Sequence, residues 1–550
     1  MTTCKQCQQE FTISKKDQDF FAKMAVPYPK LCPSCRQQRR QAWRNERCLY
    51  SRKCDLCKKP IISIYSPDKP FTVYCSDCWW SDQWDSQTYA QEIDWSRPFF
   101  KQFQELQNKV PRLTLYGNKN ENSDYTNHSE QIKNCYLCVD VAFAENILYG
   151  QWVVRGQDCV DVYVSTSSEL CYFCQYITNC YNCIYTYSAE TCSNLMFCYD
   201  CKDTNDCFLS SNLRHAQYVF MNEQLSPEEY KKRMSRWDMG SFNNWQKAVA
   251  AYKKMVVEQT FHKYGLIYYS ENSTGNVLHH ANNCQQCFHV MDSEDNTYTY
   301  ECLEIKDSMD AYESGFSCER QYETHGCNRS SYTKFCSVCY DNHFIEYCEW
   351  CHDSNDLFGC IGLRKQKYCI LNKQYSEEKY KELKEKLITH MKEIGEYGEF
   401  FPSNLSPFGY NETVAPYYLP LTKDEAVAVG FRWHDGRTGS IGKTTKTWEQ
   451  IPDNIQEVNA EIIKEALECT KCQKNYKVTK KEFEFYQRQK LPIPRLCPDC
   501  RYMARMSLRN PRKLWHRKCM NDGCKNEFET TYAPDRPETI YCEECYQKEI

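Results

Sequence analysis

Sixteen cysteines fall into four sets whose spacing suits tetrahedral thiolate chemistry: Cys4/Cys7/Cys32/Cys35, Cys54/Cys57/Cys75/Cys78, Cys469/Cys472/Cys497/Cys500 and Cys519/Cys524/Cys542/Cys545. A Cys-x2-Cys pair offers two soft ligands from one tight knuckle, and two such pairs complete the four sulfur atoms that Zn2+ takes at about 2.3 Å. A closed four-thiolate site leaves no position for water. The sites are therefore expected to be structural, with four Zn2+ ions per chain. The last set departs from the two-residue spacing at Cys519-x4-Cys524. Repetition of the knuckle pairs favours metal over redox dithiols or disulfides.

Between the two sites at each end lies a row of arginines. Arg36, Arg40, Arg44 and Arg47 are spaced by four, four and three, which is one face of a helix. Arg501, Arg505, Arg509 and Arg512 repeat the row, and Arg52-Lys53 is matched by Arg517-Lys518, with Pro511 ending the later helix near Arg509. Guanidinium groups near Trp43, Trp515 and Tyr502 suit salt-sensitive phosphate contacts and base stacking, so these twelve residues are the candidate contacts to RNA or DNA. The alternative is a face that pairs with acidic residues elsewhere in the chain.

The elements that carry these groups are duplicated. A shift of 465 residues lays Cys4, Cys7, Cys32, Cys35 and Cys54 on Cys469, Cys472, Cys497, Cys500 and Cys519 without a gap, together with Phe20 on Phe485 and Leu31-Cys32-Pro33 on Leu496-Cys497-Pro498. Cys4-x2-Cys7, Phe11-Thr12, Phe20, Pro29 and Cys32-Pro33-x-Cys35-Arg36 resemble the bacterial "probable zinc-ribbon" domain, over about 35 residues at each end. The whole arrangement is also similar to uncharacterised large cysteine-rich proteins of uncultivated bacteria. The resemblance implies zinc and is silent on activity.

The interior repeats at a shift close to 150 residues: Asn134-Cys135 and Cys138 recur as Asn283-Cys284 and Cys287, and Leu213-Arg214 as Leu363-Arg364. Within each copy the cysteines lie at multiples of nine, as in Cys171, Cys180, Cys198 and Cys207. A nine-residue unit stacked into a β-solenoid is expected, with cysteine as a small ladder-forming hydrophobe or, alternatively, as a further metal ligand. Cysteines three apart point to opposite faces of a straight strand, so both reach the interior only where the chain turns a corner between them. Ser226 and Ser376, each followed by acidic residues, predict helices over 226 to 262 and 376 to 394. The Pro-, Gly- and aromatic-rich stretch from 396 to 455 predicts an irregular connector, with a further helix near 456 to 467.

The fold class is thus mostly β with helices: terminal zinc-ribbon pairs flank two tandem cysteine-rich β-solenoids with capping helices. The expected domains are 1–80, 81–262, 263–395, 396–467 and 468–550, the last duplicating the first. At 550 residues and a net charge of −4 the chain is not a uniformly basic coat, yet ten Lys or Arg lie between Lys30 and Lys59 and ten between Arg488 and Lys518. The opening has no apolar run that would mark a signal peptide, and 39 cysteines fit a reducing cytoplasm rather than a secreted disulfide framework. No membrane partner and no small-molecule substrate is indicated. Gly442-Lys443-Thr444 lacks the upstream glycine of a phosphate loop, Arg437 standing in its place. His279-His280, His352 and His434 sit in no triad or metalloprotease spacing. No catalytic constellation emerges. The expectation is a non-enzymatic zinc-dependent nucleic-acid-binding protein, or else a protein-interaction scaffold whose zinc sites are purely structural. Metal well beyond four ions per chain would instead indicate an enzyme or a thiol-based metal store.

Overall fold

The computed structural model describes residues 1–436 and 442–550, and its interior consists of ladders of parallel strands, closed at Glu223–Gln224 and at Lys373–Gln374 by an antiparallel pairing. One ladder has nine strands from Gly117–Asn118 to Ser211–Arg214, with a four-stranded sheet from Ser193–Met196 to Glu223–Gln224 beside it. The other has ten strands from Ile267–Tyr268 to Lys373–Gln374. Val139 on Ala142's strand faces Gln151, which faces Tyr163, which faces Gln175, a step of 12 residues each time. The same step links Lys133, Glu145 and Gln157, and again Tyr136, Leu148 and Val160. The repeat is therefore 12 residues, which corrects the expected nine. Both are multiples of three, and three is the spacing that sets side-chain direction here.

Every third residue of the first ladder turns a left-handed corner. Asn134, Leu137, Asp140, Phe143 and Asn146 have φ of 57°, 51°, 52°, 53° and 57°. The residue after a corner faces inward, as Cys135, Cys138, Val141, Ala144 and Ile147 do. This is how cysteines three apart share one interior. Left-handed backbone costs an L-residue roughly 1–2 kcal/mol, which Asn and Asp offset best and which the continuous hydrogen-bonded pairing here must outweigh.

Inside, each thiol donates to nearby carbonyls. Cys174 Sγ lies 3.3 Å from the Tyr172 carbonyl and 3.1 Å from that of Cys183. Nine residues is the separation between a thiol and this second acceptor. Ser168, Thr186 and Ser210 hold equivalent interior positions, with hydroxyls donating to the carbonyls of Thr166, Ile184 and Phe208 at 3.0, 3.2 and 2.9 Å. Cys174→Ser is therefore expected to cost less than about 1 kcal/mol. Cys174→Leu overfills the same space and is expected to cost roughly 1–3 kcal/mol. Urea unfolding of the two variants separates the outcomes.

Ser226 and Ser376 cap the helices Pro227–Met234 and Glu377–Glu393, accepting from the backbone N–H of Glu229 and Lys379. A second helix, Phe242–Lys254, follows the first cap. The stretch near 456 to 467 is not the expected helix but two 3-10 turns, Ile455–Glu457 and Ala460–Lys464, before the strand Leu467–Glu468. Asn454 and Asn459 accept from the N–H two residues on, a local bond that competes with helix propagation.

The end units pack crosswise. Phe20 and Phe21 of the first meet Tyr322 of the second ladder edge-on, whereas Phe485 and Tyr486 of the last meet Tyr172 of the first ladder. Val73–Tyr74 nevertheless pairs with Arg112–Leu113, ahead of the first ladder, and Thr539–Tyr541 with Phe261–Lys263, ahead of the second. Each end unit thereby touches both halves of the interior.

Candidate metal centres and arginine clasps

Each tetrad joins a knuckle to a helix start. Gln8, Lys58 and Gln473, the residues after the first pair in three tetrads, are left-handed at φ of 60°, 63° and 62°, which closes the knuckle; in the stretched fourth, Gly523 at 77° takes that part. The second pair begins at the residue capping a helix: Cys32 before Pro33–Gln41, Cys75 before Ser76–Trp80, Cys497 before Pro498–Met506 and Cys542 before Glu543–Glu549. Pro33 and Pro498 take the first helical position, where a missing N–H costs nothing.

The four sulfur atoms of every tetrad lie within 4.8 Å of one another. Thiolates about 2.3 Å from a tetrahedral ion are about 3.8 Å apart. The separations Cys7–Cys32, Cys57–Cys75, Cys472–Cys497 and Cys524–Cys542 are 3.7, 3.8, 3.7 and 3.9 Å, so donor set and geometry fit zinc. Burial raises the Cys54 thiol pKa, but N–H groups of Cys75, Cys57 and Leu56 outweigh it and bring it to about 6. Cys469 follows the same logic to about 7, with donors from Cys497, Cys472 and Lys471. The knuckle backbone thus favours the thiolate that a metal needs.

Residues 1–44 match the family described as "Probable treble clef domain". That span holds the first tetrad and the helix carrying its second pair. No curated protein is matched by the chain. Tetrads at both ends fit zinc-ribbon-like, metal-binding units.

The two rows of arginines expected to reach phosphate are buried or half-buried. Arg36 and Arg40 clasp Asp310 at 2.6 and 3.2 Å, and Arg501 and Arg505 clasp Asp161 at 2.7 and 2.6 Å. The two aspartates are fully buried and 149 residues apart, at corners of φ 57° in each ladder. The pairs are therefore equivalent and crossed: the N-terminal unit holds the second ladder, the C-terminal unit the first. Burial lowers the Arg36 pKa, yet Asp310 more than offsets it, and the guanidinium stays charged. Arg512 pairs with Glu301, Arg509 donates to Tyr163 and Tyr418 at 2.7 and 3.0 Å, and Arg47 lies over the Tyr502 ring and 3.7 Å from Asp499. Arg52 bonds Asp55 and two carbonyls, and Arg517 the Ala533 carbonyl. Lys53 and Lys518 are exposed, the latter 3.0 Å from Glu527. The two rows, expected to contact phosphate, are turned toward the ladders: the helix face that carries Arg36 and Arg40, and likewise Arg501 and Arg505, is the face on which each end unit docks, with buried carboxylates balancing the desolvated guanidinium groups.

Arg44 has a larger acidic company. It pairs with Glu46 and Asp140, both at 2.7 Å, and with Glu313. Oxygens of these three carboxylates lie within 4.8 Å of one another, a metal-like grouping already centred on a guanidinium. Burial pushes Asp140 up to about 7 despite Arg44, and raises Glu313 well above the usual range. Buried His325 is held neutral by desolvation and by Arg44. Sequence reasoning named Arg44 but none of its partners. Asp161 and Asp310 were missed; their recurrence at the interior shift is the one sequence signal that could have paired them, and nothing local marks them as buried.

Among the discounted signals, the Gly442 N–H donates to Asn475, while Arg437 lies outside the described residues. His352 stacks on Tyr340 and burial brings it down to about 3. The interior cysteines beyond the four tetrads form no metal-like group among the described residues.

Proposed function

We propose that the chain is a zinc-dependent, non-enzymatic scaffold. Four Zn2+ ions fold the end units, and these clasp two β-solenoids into one body that presents its ladder faces to a protein partner. The observation that carries this is the crossed pairing of Arg36 and Arg40 with Asp310 and of Arg501 and Arg505 with Asp161. The 12-residue parallel register supports solenoids of 81–262 and 263–395 with capping helices, set between units 1–80 and 468–550 and joined to the latter by 396–467. None of the 39 cysteines is joined in a disulfide, and sixteen of them are grouped for metal, which supports a reducing, cytoplasmic setting. No described helix is long and apolar enough to cross a membrane. Outward corners carry Phe143 and Phe344, and Tyr181 stands just before the corner at Asn182, each about half exposed, on a repeating surface of the kind extended binding proteins use.

Titration with single- and double-stranded RNA and DNA at low and high salt is expected to show no salt-sensitive binding, and a pull-down to retain a protein partner after nuclease treatment. Tight low-salt binding lost on raising salt would return the basic ends to nucleic acid.

A further inference from the structure

A cavity of about 160 Å³ opens in the groove where the two ladders face each other. An apolar cavity of ~150 Å³ accepts a benzene-sized guest, so this one has room for a single ring. Its walls are Trp152 and Val164 of the first ladder and Met291, Leu303 and Phe316 of the second. Pockets of this make-up, apolar with a few convergent polar groups, are typical small-molecule sites.

Two further features converge on it. The ladder register breaks at this wall: Leu303 faces Gly315, but Ile305 faces Cys318. The extra residue leaves Phe316 and Ser317 as consecutive left-handed residues at φ of 62° and 64°, a doubling otherwise seen in the ladders only at their closing turns, Met221-Asn222 and Leu371-Asn372, among the described residues. Such insertions re-aim side chains and gather beside functional sites. Phe316, 37% exposed, is thereby placed at the mouth.

The charge at the closed end is unbalanced. Arg329 at the rim is met by Asp341 at 2.8 Å, and Glu301 by Arg512, so these cancel. Glu46, Asp140 and Glu313 share Arg44 alone. Glu313 lines the cavity and is more than nine-tenths buried; its Oε2 is held against Arg44, while its Oε1 receives no hydrogen bond. A second positive donor is the missing partner. A bare metal ion would have to sit against the Arg44 guanidinium, whereas an organic cation can extend from the ring space toward Glu313 Oε1, the oxygen that Arg44 does not hold.

We propose that this groove binds a small organic cation, a single-ring apolar body bearing an amine, with Glu313 and Asp140 receiving the ammonium group and Trp152, Leu303 and Phe316 enclosing the ring. The proposal goes beyond the scaffold reading and does not depend on it.

Isothermal titration of the full-length zinc-loaded protein with phenethylamine, 2-phenylethanol and 3-phenylpropionate tests it. Phenethylamine is expected to bind at least about ten-fold more tightly than the alcohol, since a charged hydrogen bond is worth roughly 1.5–3 kcal/mol, and the carboxylate not at all. Asp140→Asn should remove most of the preference for amine over alcohol. Phe316→Ala, at an exposed position that leaves the fold intact, should weaken the amine several-fold, and it decides the matter if Asp140→Asn fails to fold. Equal binding of amine and alcohol, no binding of the amine, or unchanged amine affinity in Phe316→Ala would overturn the proposal.

Discussion

Asp161→Asn and Asp310→Asn are each expected to destabilise the ladder that carries them by ~3–5 kcal/mol, the usual cost of removing one partner from a buried ion pair. The substitution keeps shape and volume and removes only charge. Among the described residues, Asp161 is the one carboxylate paired with Arg505, and Asp310 the one paired with Arg36. Loss of either leaves a fully buried guanidinium without its counter-charge. Arg501 retains Glu482 at 2.9 Å and Arg40 retains Glu323 at 3.8 Å, so neither clasp is lost outright. Lys53→Ala and Lys518→Ala, on exposed side chains, should stay within about 0.5 kcal/mol. Urea unfolding followed by tryptophan fluorescence and far-UV circular dichroism compares the four. A cost below 1 kcal/mol for both aspartate variants would mean that the clasps contribute little.

The second large effect follows metal removal. Structural four-thiolate zinc sites carry folding free energy of roughly 10–16 kcal/mol in small peptides, more than an ordinary domain's net stability. Chelation should therefore unfold both end units. The consequence should not stop there, because their helices bring the arginines that cover Asp161 and Asp310, and because Phe20, Phe21, Phe485 and Tyr486 cover ladder aromatics. Stripped of these units, each ladder exposes a carboxylate and part of an aromatic face, and its local opening free energy should fall. Zinc removal is thus expected to loosen the interior as well as the ends.

The tetrads were legible because ligand spacing is local: Cys-x2-Cys closes a knuckle wherever it occurs, and duplication supplied four instances. The ladders were legible as a repeat, but the period was misread. With cysteine admitted at every third position, spacings of nine and twelve are both frequent, and only strand register distinguishes them. The left-handed corners left a trace in Asn134, Asp140, Asn146, Asp158 and Asp161, residues that tolerate positive φ, three or a multiple of three apart. The arginine rows were visible as donors, but their partners were not, since Asp161 and Asp310 are two among 73 acidic residues and only the folded topology buries them. The groove is less legible still. Trp152 and Val164 meet Met291 and Leu303 only because two distant ladders face each other.

Hydrogen exchange across zinc removal tests the clasp most directly. Amide protection is to be followed by mass spectrometry in the zinc-loaded protein and after chelation. Clasping predicts that protection falls not only in 1–80 and 468–550 but also in the strands flanking Asp161 and Asp310, Gln151–Val154, Tyr163–Thr166, Tyr300–Lys306 and Gly315–Tyr322. Unchanged protection in those four strands while both end units exchange freely would contradict it.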